Sequence, residues 1–252
     1  MIESINMENI KDLKKKLYKI QCQNWIKSKI EGKGAIGETL ELLLGKDRDN
    51  YSLPDYNGIE IKCKTLSNKY PLHLFCCTFD GRPLEMQRLL KIGGYPDKNN
   101  SEFNVFNITV YGSNKKLIRN HAYQLKVDYK RKRVKLVITY RNTNRLVTYM
   151  SWSFVELEMR LTNKLKYLVI VPGLKSKINN NIYFKYLNPT FYKLISFETF
   201  LNLVETGIIS VTFKLSYYHS KERYGQFLDK GTSFDIYYYN IEKLFKKINV
   251  YM

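Results

Sequence analysis

From Pro54 to Cys63 the chain reads Pro-Asp-Tyr-Asn-Gly-Ile-Glu-Ile-Lys-Cys. Two carboxylates, Asp55 and Glu60, are followed by one ammonium, Lys62. If Gly58 to Lys64 is a strand, its side chains alternate, with Ile59, Ile61 and Cys63 on the core face and Glu60 and Lys62 on the other. Asp55 sits in the turn feeding that strand, where it can bend back beside Glu60. This set suits phosphodiester hydrolysis. Carboxylate oxygens are the hard ligands Mg²⁺ takes, and two suffice because the ion keeps waters and binds phosphate oxygens. A metal so placed neutralises developing phosphate charge and acidifies a bound water. The lysine can orient or deprotonate that water while touching the phosphate. Taken alone, the pattern also describes a surface strand with an i,i+2 ion pair.

The elements around it must bring those groups together. Gly32, Gly34 and Gly37 interrupt the chain before a short helix, Glu38 to Leu44, closed by Gly45. Leu40, Leu43 and Leu44 share one face of it, and Glu41 lies about 60° beyond Leu44 at the border of that face. From there Glu41 can lean into the carboxylate cluster or remain a solvated flank residue. Upstream, Glu8 to Ile30 reads as a basic amphipathic helix, with Ile10, Leu13, Leu17 and Ile20 at helical spacing. Downstream, Leu72–Thr78 reads as a strand and Asp80–Asn104 as a loop region. Strands follow at Phe103–Tyr111, Tyr123–Tyr129 and Val134–Tyr140, the last two joined by the basic turn Lys130–Arg133. A helix capped by Ser151 or Ser153 runs to Leu165. The apolar run Tyr167–Val171, ended by Pro172-Gly173, has the character of a strand buried on both faces. A helix from Ser196 to Glu205 stops at Gly207, and strands at Ile209–Tyr217 and Thr232–Tyr239 flank a polar, basic loop. This mixture argues for an α/β or α+β layer fold in one folded unit, residues 1–252.

Charge narrows the partners. The 252 residues carry 42 Lys and Arg against 23 Asp and Glu, a formal +19 that destabilises a compact domain unless a polyanion meets it. A membrane surface is the less apt polyanion, since no stretch reaches the ~20 apolar residues of a spanning helix. Met1 to Ile10 lacks the apolar block of a signal peptide, so the expected location is the cytoplasm. Four cysteines (Cys22, Cys63, Cys76, Cys77) without a C-x-x-C pair, and three dispersed histidines, agree with a reducing compartment and argue against structural zinc.

Several blocks together resemble the MvaI/BcnI family of restriction endonucleases, relatives of the MutH mismatch-repair nickase. They are Gly34-Ala35-Ile36-Gly37-Glu38-Thr39-Leu40-Glu41-Leu42-Leu43-Leu44-Gly45, Leu53-Pro54-Asp55 and Ile59-Glu60-Ile61-Lys62. Leu72-His73-Leu74-Phe75 follows, and near the end come Tyr218-His219-Ser220 and Asp229-Lys230-Gly231-Thr232-Ser233-Phe234. Segments at Tyr149–Leu168 and Ser196–Gly207 look similar too, whereas Asp80 to Arg119 matches only in patches. The resemblance implies a PD-(D/E)XK core, a mixed central sheet between helices, with a second, DNA-recognition lobe completing a cleft. It makes Glu41 the helical acidic residue, Asp55 and Glu60, with Ile61, the metal site, and Lys62 the water-positioning lysine. One or two Mg²⁺ ions, double-stranded DNA, a monomeric enzyme and a cognate methyltransferase in the same prokaryotic system are implied with it. So are short sites of the CC-N-GG type, cut one strand at a time to leave 5′-phosphate and 3′-hydroxyl ends.

Two positions depart from the family pattern: Lys230 stands where the family has histidine, and Asp235 where it has arginine. A carboxylate accepts hydrogen bonds where arginine donates, so the family's base preference does not transfer. Residues placed to grip DNA are Lys33, Lys64, Lys69, His73 and Arg82 near the chemistry. In the terminal loop they are His219, Ser220, Lys221, Arg223 and Lys230. His73 is read as sharing a strand face with Phe75 and pointing into the cleft, or as a satisfied core histidine. Two other readings compete with a double-strand cutter: a strand-nicking enzyme activated by a partner, and a basic binding module without catalysis.

Overall fold

The computed structural model describes residues 2–32, 34–46, 53–81 and 83–250. The chain opens with α1 (Ile2–Gln21), β1 (Ile26–Lys27), α2 (Ala35–Leu43), β2 (Ile59–Thr65) and β3 (Leu72–Cys76). Next come α3 (Pro83–Gly93), β4 (Tyr95–Pro96), β5 (Asn104–Val110), β6 (Lys116–Ile118), β7 (His121–Asp128), β8 (Arg133–Tyr140) and β9 (Leu146–Ser153). Then follow α4 (Phe154–Leu165), β10 (Tyr167–Ile178), β11 (Asn181–Tyr186), β12 (Thr190–Leu194), α5 (Phe197–Glu205) and β13 (Ile209–Tyr217). The last are β14 (Phe227–Asp229), β15 (Ser233–Ile236), α6 (Ile241–Leu244) and β16 (Phe245–Ile248). They gather into two compact units: Met1–Tyr70, Thr162–Ile195 and Phe245–Met252 in the first, Pro71–Leu161 and Ser196–Leu244 in the second.

The first unit is built on β10. Its residues Tyr167–Val171 are buried throughout, as the apolar run requires, but the strand does not stop at Pro172-Gly173. Proline removes one N–H and leaves its carbonyl, which accepts from Leu187 N, while the Gly173 carbonyl accepts from Leu66 N, so pairing carries on past both residues. β2 lies parallel to β10, with Ile59 opposite Tyr167 and Thr65 opposite Gly173. β11 and β12 pair antiparallel with β10, β1 adds to β11 and β16 to β12. The sheet is mixed, as expected of the implied core.

One face of that sheet carries Ile59, Ile61, Tyr167, Val169 and Val171, packed with Ile10, Leu13, Leu17 and Ile20 of α1 and Ile36 and Leu40 of α2. α1 is shorter than the predicted helix: Asn24 takes a positive φ of 62° just past Gln21, and a left-handed residue ends an α-helix. α2 approaches closely because Gly173 lets it: a Cβ there would sit 2.7 Å from Ile36 Cδ1.

The second unit holds a sheet in the order β3-β15-β13-β5-β4 with β14 beside β13, and a four-stranded antiparallel sheet β6-β7-β8-β9. Rings fill it: Phe79 lies 4.4 Å from Trp152, and Phe75 stacks on Phe234 at 5.0 Å. The predicted loop Asp80–Asn104 contains a helix instead. Pro83 starts α3, and Met86, Leu89 and Leu90 are buried at helical spacing. β9 and the β11–β12 segment were likewise not predicted, whereas the helix from Ser196 was, and Ser196 itself caps α5 by accepting from Thr199 N.

Candidate active site

A two-residue turn places Asp55. Asn57 and Gly58 both have positive φ, 43° and 87°, and Tyr56 and Ile59 exchange both backbone hydrogen bonds across them. This is the primed type of hairpin turn, which an Asn-Gly pair adopts readily. It folds Asp55 back against β2, where its Oδ2 accepts from Ile61 N at 2.9 Å. Among the described residues, β10 is the one strand that pairs alongside β2. The Ile61 N–H therefore points away from β10, and the Asp55 carboxylate satisfies it in place of a neighbouring strand.

Glu60 and Lys62 project from the opposite face to Ile59 and Ile61, as the alternation predicts. That face is covered rather than open: Glu60 is 1 % exposed, and Leu168 and Ile170 are buried on it. A solvated surface pair is thereby excluded. Lys62 Nζ donates to Glu60 Oε1 at 2.5 Å, and Lys164 Nζ, from α4, stands 3.4 Å from the same oxygen. Lys46 Nζ, just past α2, donates to Asp55 Oδ1 at 2.6 Å. Glu60 Oε2 is buried and has no hydrogen-bond partner among the described residues.

The carboxylates feel one another. Burial pushes Glu60 above the usual carboxylate range, and Asp55 adds to the push, against the pull of Lys62 and Lys164. Burial also raises Glu41, with Asp55 and Glu60 adding and Lys46 and Lys62 opposing. Glu41 is half-buried on α2 and lies near enough to Asp55 and Glu60 for their charges to act on it. Cys63, on the core face of β2, has its thiol held high by burial and by the Glu41 and Asp55 charges, so it is an inert packing residue.

These groups suit a hard divalent cation. Among the described residues no three His, Cys, Asp or Glu side chains form a ready cage for an ion. Mg²⁺ does not need one, since one or two carboxylates with waters and phosphate oxygens complete its shell. The orphaned Glu60 Oε2 and the neighbouring Asp55 carboxylate supply that number, and Lys46, Lys62 and Lys164 balance the charge meanwhile.

Of the predicted DNA-gripping residues, Lys33 and Arg82 lie outside the described residues. Lys64 is half-buried on β2, and burial holds its ammonium below the usual lysine range; Lys69 is exposed beyond the strand. In the second unit, His219, Ser220, Lys221, Arg223 and Lys230 are all exposed. Arg223 covers the Tyr218 ring at 5.2 Å, and His219 Nε2 lies 3.8 Å from Asp97 Oδ2. His219 and Lys230 share the lining of a cavity of about 380 Å³. His73 does not share a face with Phe75: the register slips between Phe234 and Asp235, leaving Leu74 without an opposite residue. The bulge turns His73 outward while Leu74 and Phe75 are buried. Sequence reasoning missed Lys46 and Lys164. Only their nearness to the ends of α2 and α4 marked them.

No curated protein sequence matches the chain. Among solved structures, the restriction endonuclease MvaI in complex with its cognate DNA substrate is 26 % identical, covers 95 % of this chain and 97 % of its own, and superposes with a TM-score of 0.84. MvaI in the absence of DNA is 25 % identical, covers 97 % and 98 %, and gives 0.64. The profile of the MvaI/BcnI restriction endonuclease family matches residues 14–245. With that match spanning nearly the whole sequence, the chain belongs to the MvaI/BcnI restriction endonuclease family.

Proposed function

We propose that this restriction endonuclease hydrolyses one phosphodiester per strand in a short duplex DNA site, with Mg²⁺ held at Asp55, Glu60 and the Ile61 main chain. The observation that carries this reading is that Asp55 is held on the Ile61 N–H of β2 while Lys62 bonds Glu60 on the same strand, with one Glu60 oxygen buried and without a partner among the described residues. The Ile61 N–H points away from β10, and in an extended strand a residue's carbonyl points the same way as its N–H, so the Ile61 oxygen is directed there too. When bound, the ion supplies an acidified water and offsets charge on the phosphate.

The chain's own groups do the rest. Lys62 Nζ, steadied by Glu60, donates to the scissile phosphate and orients the attacking water. Glu41 has a carboxylate raised above its ordinary range, which suits it to take up a proton at the cluster. Lys46 and Lys164 neutralise Asp55 and Glu60 until substrate arrives. The products carry 5′-phosphate and 3′-hydroxyl ends. We further read the enzyme as a monomer acting in a prokaryotic cytoplasm beside a methyltransferase that protects the same sites; membership of the family supports this.

Incubation with phage DNA and Mg²⁺ tests the reading. Discrete fragments are expected from the native enzyme. Asp55→Ala and Lys62→Ala should abolish them while DNA binding persists. Smeared products, or cleavage that survives both substitutions, would overturn it. Supercoiled plasmid converted only to open circles would instead identify a nickase.

A further inference from the structure

On the footing of the metal site at Asp55 and Glu60, we propose that Lys46 is a displaceable internal cation, which occupies the Asp55 oxygen a divalent ion needs and must yield it before the site fills.

The end of α2 sets Lys46 in place. Gly45, at φ 78°, takes the left-handed conformation that stops a helix. Gly45 N donates to Leu42 O at 3.1 Å, and Lys46 N to Glu41 O at 2.9 Å. Those two bonds make the Schellman pattern, in which the residue after the glycine is tied back into the last turn. Lys46 therefore has a fixed backbone, bonded to the carbonyl of Glu41. Its charge acts on the Glu41 carboxyl together with those of Asp55, Glu60 and Lys62, so it shares their surroundings.

The helix end fixes the root of Lys46 but not its side chain. A flexible four-carbon stem carries the ammonium to Asp55 Oδ1 at 2.6 Å, with the two side chains 21 % and 12 % exposed. Asp55 Oδ2 is turned onto Ile61 N, so both oxygens of this carboxylate are engaged. Glu60 differs. Lys62 and Lys164 stand at its Oε1, while Oε2 has no hydrogen-bond partner among the described residues. Of the two carboxylates, Glu60 offers an open oxygen and Asp55 is closed by Lys46.

Lys46 and an ion cannot share Oδ1. Mg²⁺ binds a carboxylate oxygen at about 2.1 Å, so an ammonium kept 2.6 Å from that oxygen stands within about 5 Å of a double charge at any angle. In a partly desolvated cluster that repulsion outweighs the return from one hydrogen bond. The Ile61 N–H is neutral, and no such conflict arises at Oδ2. Filling the site thus exchanges one cation for another. The stem swings out to solvent while the helix end keeps its root in place. The strength of the Lys46 contact then sets the Mg²⁺ concentration at which the site fills.

The test follows Mg²⁺ binding without DNA, by calorimetry and by thermal unfolding over a Mg²⁺ series. Native enzyme is compared with Lys46→Met, Lys164→Met and Asp55→Ala. Lys46→Gln, which keeps a neutral donor for Asp55, takes over if the methionine variant does not fold. The expected result is affinity raised at least about tenfold in the Lys46 variant, the factor set by losing one charge-assisted contact, and raised much less in Lys164→Met. Unchanged or weaker binding in the Lys46 variant would show that Lys46 only positions Asp55. Equal gains in the Lys46 and Lys164 variants would show a general effect of charge. Either result overturns the proposal, and loss of binding in Asp55→Ala would still leave the metal site standing. Binding that Asp55→Ala leaves untouched refutes the metal site, and this inference with it.

Discussion

Glu60 shows at the scale of one residue how the site stores its chemistry. Burial lifts its carboxyl above the ordinary range although Lys62 and Lys164 stand beside it. A carboxyl raised by folding binds its proton more tightly in the native state than in the unfolded chain. Its stabilising effect is then complete below the ordinary carboxylate range and is lost as pH rises through the raised value. Metal-free native enzyme should therefore lose stability relative to Glu60→Gln as pH climbs through that window, because glutamine mimics the protonated form. Thermal unfolding of the pair across pH 4 to 8 (roughly the span over which perturbed carboxylates titrate) reads this out. A constant difference would contradict it. Cation binding requires the deprotonated form, so Mg²⁺ should reverse the trend and stabilise the native enzyme more at the upper end of the range.

At the scale of elements, the hairpin turn Asn57-Gly58 is what brings Asp55 to Ile61. Gly58 has φ 87°, a region L residues occupy at a cost of roughly 1–3 kcal/mol. Gly58→Val should lower stability by about that amount in urea titration. It should also reduce cleavage far more than DNA binding, because the turn positions a carboxylate and not a phosphate grip. Equal losses of both would show that the turn has no special role. A turn feeding the strand was expected, but its Asn57-Gly58 pair went unread, whereas α1 was legible from Ile10, Leu13, Leu17 and Ile20. Others were present but overlooked. Met86, Leu89 and Leu90 behind Pro83 spell α3, yet Gly, Pro and Asn around them drew the segment into a loop. Asn179 and Asn180, both at positive φ, turn β10 into β11, though they stood in a stretch with few apolar residues. The Leu74 bulge left no mark, since a strand's alternation is assumed and not written in residue types.

For the molecule as a whole, the +19 charge predicts binding that weakens steeply with salt, linearly in logarithmic terms. Exposed Lys69 changed to Ala should flatten that slope by roughly 0.9 if it meets a phosphate. An unchanged slope would remove it from the interface. The proposed constellation could be read because Asp55, Glu60 and Lys62 lie within one short segment. Lys46 and Lys164 were not, because lysines are plentiful here and only folding selects two. The same closeness in sequence conceals a long-range dependence. β2 pairs with β10, whose residues come more than a hundred positions later. Local segments form in microseconds, but a strand pairing this distant must first close a large loop, and such closures set the pace of folding. A fragment holding Glu41, Asp55, Glu60 and Lys62 but lacking β10 should therefore fail to assemble the proposed site, however well its own helix and turn form.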